Sequence, residues 1–202
     1  NARVQFNVLY ARYEEALQDA AEMDEHIKKP MGTMLVADHC HTYSLILIAL
    51  LRSGKGRWRY MAIIRRNQRK MRKWARACPE NFKHRYDLVA AELAALRGRF
   101  REALKLYRAA IDGAHENSFV SVETMACERL AHVYLSENQR PEAGLYLRRA
   151  YQRYLDWGAT AKADDLRERY PDLLAADHNN GATAAHTHTA SSESTPQTLD
   201  LS

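Results

Sequence analysis

The sequence predicts an all-α fold: antiparallel helical hairpins stacked as a right-handed solenoid, followed by a disordered C-terminal tail. Three observations carry that expectation. First, Phe100, Ala103, Leu104, Tyr107, Ala110, Ile111 and Ala114 fall within a sector of about 120° on a helix. Gly98 breaks the helix before them, small Ala103 and Ala110 let a neighbour approach, and the aromatic rings fill the gaps. Second, the layout returns about 40 residues on, from Asn138 to Tyr151, where Glu142, Ala143 and Ala150 replace Glu102, Ala103 and Ala110. Third, Ala, Leu, Arg and Glu dominate, Gly numbers 8 and Pro 5, and no stretch alternates β-branched residues as a strand would.

The order Gly, aromatic, Ala, aromatic, Ala resembles the second half of a tetratricopeptide repeat. A partial third copy, Tyr13-Glu14-Glu15-Ala16-Leu17, aligns with Phe100 to Leu104. The spacing exceeds the roughly 34 residues of that repeat, so the units are tetratricopeptide-like hairpins with longer arms, about four of them. A single stripe could belong to any amphipathic helix; the second copy argues for a repeat.

Residues 2 to 10 read as the end of one helix, and a second runs from Glu14 to His26 until Lys28-Lys29-Pro30-Met31-Gly32 interrupts it. Thr33 to Leu51 is nearly all apolar and is the expected centre of the core. Ser53-Gly54-Lys55-Gly56 is a turn, Arg57 to Ala77 a helix stopped at Cys78-Pro79, and Asn81 to Leu96 the next, ended by Gly98. The helix 100 to 116 follows, then Asn117-Ser118 as a cap for a helix from Val120 to Leu135. Arg140 to Trp157 starts with Pro141 in a tolerated first-turn position. Gly158 closes it, Thr160 to Arg169 is a last short helix, and Pro171 ends the order. Residues 1–175 are expected to form the repeat domain. From Ala176 to Ser202 the chain turns to Ala, Thr, His, Ser and Asn, too few large apolar residues to offset ordering entropy.

The 202 residues suffice for one sizeable domain. Cysteines at 40, 78 and 127 are odd in number and lack metal-like spacing, which points to a reducing, cytoplasmic setting. The longest apolar run, Leu45 to Leu51, is too short to span a bilayer, so no membrane span is expected. The start, Asn1-Ala2-Arg3-Val4-Gln5-Phe6, reads as mid-helix, as in a segment of a longer protein. A net charge of +5 and a pI near 9.1 are too modest to imply nucleic acid by themselves.

No catalytic, cofactor-binding or metal-binding residue is expected. The strongest local feature is the basic run from Arg52 to Arg76, with no Asp or Glu between Ser53 and Ala77. On a helical wheel its basic residues take one half and Met61, Ile63, Ile64, Met71 and Trp74 the other. Three readings share these residues: a plain solvated face, a contact for an acidic protein or neighbouring domain, or a phosphate-contacting helix on nucleic acid. Arg65, Arg69, Arg72 and Arg76 are the candidate partner-binding residues. His39-Cys40-His41 cannot converge on one ion, because adjacent helical residues point about 100° apart. Core or interface packing is the better reading, with Cys78, His84 and Cys127 as the distant candidates for a metal. His186-Thr187-His188 sits in the expected tail. Gly54-Lys55-Gly56 lacks the remainder of a phosphate loop and a preceding strand. Glu14-Glu15 and Asp164-Asp165 lie near helix starts, where carboxylates complement the helix dipole.

Two stretches carry a further resemblance. Arg69 to Tyr86, containing Cys78-Pro79-Glu80-Asn81-Phe82, and Tyr151 to Ala163, containing Trp157-Gly158-Ala159 before Ala161-Lys162, are similar to the helical region of very large sensor kinases. Leu166 and Arg169-Tyr170-Pro171 continue the likeness, and Thr198 to Ser202 resembles the connector into a GAF domain. In that family a Ser/Thr-kinase-like domain precedes a STAND/AAA-type ATPase, and helical repeats, a GAF domain and a histidine-kinase core follow. The resemblance implies a non-catalytic scaffold in two-component signal transduction, coupling ATPase and sensor/kinase modules, with ATP binding and phosphotransfer elsewhere in the parent. Its implied partners are adjoining domains of the same chain or another protein. The basic density from Arg57 to Arg76 and the long polar tail depart from the family pattern.

Overall fold

The computed structural model describes residues 2–26, 32–55 and 58–175; the side chains of residues 25 and 26 are not described. Among the described residues ten helices follow one another: α1 (Ala2–Leu9), α2 (Tyr13–His26), α3 (Thr33–Arg52), α4 (Trp58–Ala77), α5 (Pro79–Leu96), α6 (Phe100–Glu116), α7 (Val120–Ser136), α8 (Arg140–Asp156), α9 (Thr160–Arg169) and α10 (Pro171–Ala175). No strand occurs among the described residues. The expected tail, His186-Thr187-His188, most of the 28–32 turn, and Gly56-Arg57 lie outside them.

Helices α1 to α8 pack as four successive hairpins, and α9 and α10 close the array against α8. From α1 to α7 the substantial next-but-one contacts all join odd-numbered helices: α1 with α3, α3 with α5, α5 with α7. That asymmetry bends the stack, with odd helices on the inner, concave side and even helices outside. It is a helical-repeat solenoid, in which each hairpin buries its apolar stripe on its neighbours.

The corners explain the regularity. Gly98, Ser118, Asn138 and Gly158 all have positive φ, at positions twenty residues apart. At each, the next residue's N–H reaches back to a carbonyl in the preceding helix: Arg99 to Ala94 at 2.9 Å, Phe119 to Ala114 at 2.8 Å, Gln139 to Tyr134 at 2.9 Å and Ala159 to Tyr154 at 2.8 Å. These are left-handed C-caps that satisfy otherwise orphaned carbonyls. Ala11 and Gly54 make the same corner earlier, through Arg12 to Asn7 at 2.7 Å and Lys55 to Leu50 at 3.0 Å. Asn117-Ser118 therefore terminates α6 and does not cap α7, whose N-cap Phe119 makes no side-chain bond. The α4–α5 corner differs: Cys78 is extended at φ −149° and Pro79 starts α5, two residues before the expected Asn81. Pro171 likewise begins a helix, α10, where order was expected to end, since proline is pre-organised for a first turn.

The stripe on α6 lands in the core: Ala103, Tyr107, Ala110, Ile111 and Ala114 are buried, with Phe100 and Leu104 packed beside them. Its counterparts Ala143, Ala150 and Ala16 are fully buried too. Gly144 permits a close approach, because a Cβ there would lie 3.1 Å from Arg148 and 3.6 Å from Leu173 of α10. Helix α3 supplies the densest part of the core, Leu45 to Ile48. Taken whole it is also long and apolar enough, by length and composition, to cross a membrane, which the unbroken run alone did not reveal. In this fold 67% of its most apolar window is buried within the protein.

Candidate functional site

Polar side chains gather on the inner face. Glu92 of α5 is 1% exposed and accepts hydrogen bonds from Tyr107 (2.7 Å), Arg129 (3.0 Å) and Arg52 (2.7 Å), tying together α3, α5, α6 and α7. Burial opposes its ionisation, yet the two guanidiniums and the Tyr107 hydroxyl overcome this and hold its pKa at about 2. Tyr107 is correspondingly pushed well above its ordinary range, by burial and by the neighbouring Glu92 charge. On α7, Glu128 accepts from Tyr154 at 2.7 Å and from Lys162 at 2.9 Å, and Lys162 also reaches Asp165 at 2.9 Å. Glu123, 1% exposed, takes Arg149 at 2.8 Å, Arg153 at 3.3 Å and His115 at 3.2 Å, fastening α6 and α8 to α7.

The α1–α2 corner swings back over this network. Arg129 Nη2 donates to Tyr13 Oη at 3.4 Å across 116 residues, and Lys162 Nζ lies 5.7 Å from the Tyr10 ring. Between corner and helices is a cavity of about 250 Å³, walled by Tyr13, Glu92, Glu128, Arg129, His132 and Lys162 among others. His132 lines it, its pKa lowered by burial of the ring and by the Arg129 and Lys162 charges against the opposing pull of Glu128. Sequence reasoning missed this cavity. Each of its charged residues looks like an ordinary surface position in its own helix, and only the curvature of the array brings them together.

The four arginines singled out from the sequence lie elsewhere, on the outer layer. Arg65, Arg69, Arg72 and Arg76 are exposed on one stripe of α4, and none of them makes an ion pair among the described residues. The structure brings Arg65, Arg69 and Arg72 together with Gln68 and with Tyr86 of α5 around an open groove of about 290 Å³; Arg76 lies beyond it. Gln68 donates to the Tyr86 carbonyl at 3.1 Å, while its own Oε1 is buried without a partner. Of the other basic residues on α4, Arg66 bonds both oxygens of Asp24, at 2.9 and 2.7 Å.

His39, Cys40 and His41 are buried and diverge. His39 Nε2 is 3.4 Å from Asp24 but too poorly aimed for a hydrogen bond, and His41 Nδ1 is 3.2 Å from the Arg85 carbonyl. Among the described residues no three His, Cys, Asp or Glu side chains gather as a metal site requires. Burial raises the thiol pKa of Cys40 to about 11 and of Cys127 to about 12. Lys55 of the glycine-flanked turn pairs with Glu14. Glu14 and Glu15 do sit in the first turn of α2, but Asp164 and Asp165 lie mid-helix in α9, held by Arg167 and by Lys162 and Arg169. The chain matches no known protein family, no curated protein and no solved structure.

Proposed function

We propose that this chain is a non-catalytic helical-repeat scaffold whose concave face receives a protein partner. The observation supporting this reading is the cavity, whose walls come from the first hairpin through α9 and are cross-tied by Glu92 and Glu128. A group seated there touches all four hairpins, α4 alone of their helices contributing no wall residue, so its presence stiffens the whole curve. The ion pairs of Glu92, Glu128 and Asp165 around it are already satisfied by one another, which suits recognition by a preformed surface. The family resemblance makes the partner an adjoining ATPase or sensor module of a cytoplasmic histidine kinase, and the scaffold the element that couples them.

The test is calorimetric titration of the 202-residue protein with the separately expressed domains encoded on either side of it. Binding in the micromolar range, weakened by His132→Glu at the cavity wall, is the expected result. No heat at tens of micromolar from any neighbour overturns the intramolecular role.

A further inference from the structure

We infer that the outer face of α4 is a docking stripe for an acidic helix of a protein partner. Trp58, Arg65, Arg69, Arg72 and Arg76 fall within a sector of about 60° on α4 and span about 27 Å along it. Trp58 is 87% exposed, the most exposed large apolar side chain described. The four arginines are exposed as well, and no described carboxylate answers them. Tryptophan and arginine are the residues in which interface centres are richest, and here one ring and four guanidiniums share a line. This surface is on the opposite side of the solenoid from the inner cavity, so it goes beyond the reading above and stands or falls separately.

Spacing and charge identify the occupant. The arginines recur at i, i+4, i+7 and i+11, which is the period of one helix face and matches carboxylates set at the same interval on a second helix. The groove against Tyr86 gives such a helix a flank to lie along, with Arg65, Arg69 and Arg72 on its edge and the unpartnered Gln68 Oε1 at its floor. An apolar residue two turns before the first carboxylate covers Trp58. A polynucleotide suits the site less well. The neighbouring outer helix α2 has no lysine or arginine of its own, so a long polyanion that runs from α4 towards it leaves the basic stripe and gains no further cation from that helix. A second copy of this chain suits it less well too. The α2 carboxylates Glu14, Asp19 and Asp24 are already held by Lys55, Arg3 and Arg66.

The experiment uses the whole 202-residue protein and fluorescence anisotropy of a labelled synthetic helix. The probe is about 20 residues long, with Glu at i, i+4, i+7 and i+11 and Leu one heptad ahead. A scrambled peptide of equal charge and an oligothymidylate of similar length serve as competitors. The patterned peptide is expected to bind in the tens of micromolar at low salt, and Arg69→Glu/Arg72→Glu to weaken it by roughly tenfold or more. Trp58→Ala is expected to weaken it about fivefold without altering salt dependence, since it removes contact area and no charge. These residues are exposed, so the variants keep the wild-type circular dichroism, and the titration with neighbouring domains is unaffected by them. Equal binding of the scrambled peptide, tighter binding of the oligonucleotide, or no binding by the patterned helix overturns the inference.

Discussion

Replacing Glu92 by Gln keeps the shape of the side chain and removes the charge on which four helices converge. Arg129 then sits with its side chain 10% exposed beside a neutral amide, and that amide's NH2 must face at least one of three donors. Breaking a buried pair by neutralising one member costs roughly 3–5 kcal/mol, because the remaining charge is left uncompensated. The Arg52 contribution is small, since that side chain is 47% exposed and solvent screens it to about 1 kcal/mol or less. A loss of about 3 kcal/mol is therefore expected, which lowers the urea midpoint by roughly 1–2 M. Arg52→Gln serves as the control and should shift the midpoint by only a fraction of that. The double variant Glu92→Leu/Arg129→Met removes both charges and should recover much of the loss. If Glu92→Gln unfolds within about 0.5 kcal/mol of the native chain, or no earlier than Arg52→Gln, the cross-tie is not a determinant of the fold.

Acid should destabilise the protein through His41 and His84, which are 3% and 1% exposed. Burial, aided by the Arg85 charge, lowers both to about 3, so both are neutral in the folded chain. The unfolded chain protonates near pH 6.5, so their stabilising effect is complete above that value and is lost as pH falls towards 3. At pH 5 the loss is about 2 kcal/mol for each histidine, and thermal melts of His41→Gln/His84→Gln should lose most of that slope. Unchanged slope in the double variant counts against it. Ala11→Gly and Ser118→Gly should each raise the melting temperature, by roughly 0.5–1 kcal/mol of stability, because both residues occupy left-handed corners at φ 57° and 62°. No gain in either removes strain from the account of those corners. Of the cysteines, Cys78 should react with a thiol reagent at pH 8 while Cys40 and Cys127, buried with raised pKa values, stay silent until the chain unfolds. Equal rates for all three contradict the packing.

The repeat was legible because α2, α6 and α8 each keep small residues where the helices approach most closely: Ala16, Ala103, Ala143 and their partners one or two turns on. Helix α4 hid its membership. It buries Ile64, Asn67 and Met71 instead, and its polar outer half dominated the reading. The breaks at Gly54, Gly98 and Gly158 were legible from the glycine and those near Ala11 and Ser118 from the flanking pattern, but that the latter two form the same left-handed corner was not, since the cap is set by hydrogen bonds to the preceding turn. Proline was read as a stop at 171 where it opens a helix, an ambiguity that only the geometry beyond it resolves. The arginines of α4 could be placed on one face from their spacing alone. The inner cavity could not, because Tyr13, Arg129 and Lys162 are brought together by the summed tilt of successive hairpins and by nothing in their own surroundings along the chain.

That meeting of beginning and end makes the coil a latched spring. Its two halves are clasped by a long hydrogen bond at 3.4 Å and an ammonium above a phenol ring, both feeble beside the hairpin interfaces. Tension between the first and last helices therefore opens the clasp before any hairpin melts, and the curve relaxes by unbending with its helices whole.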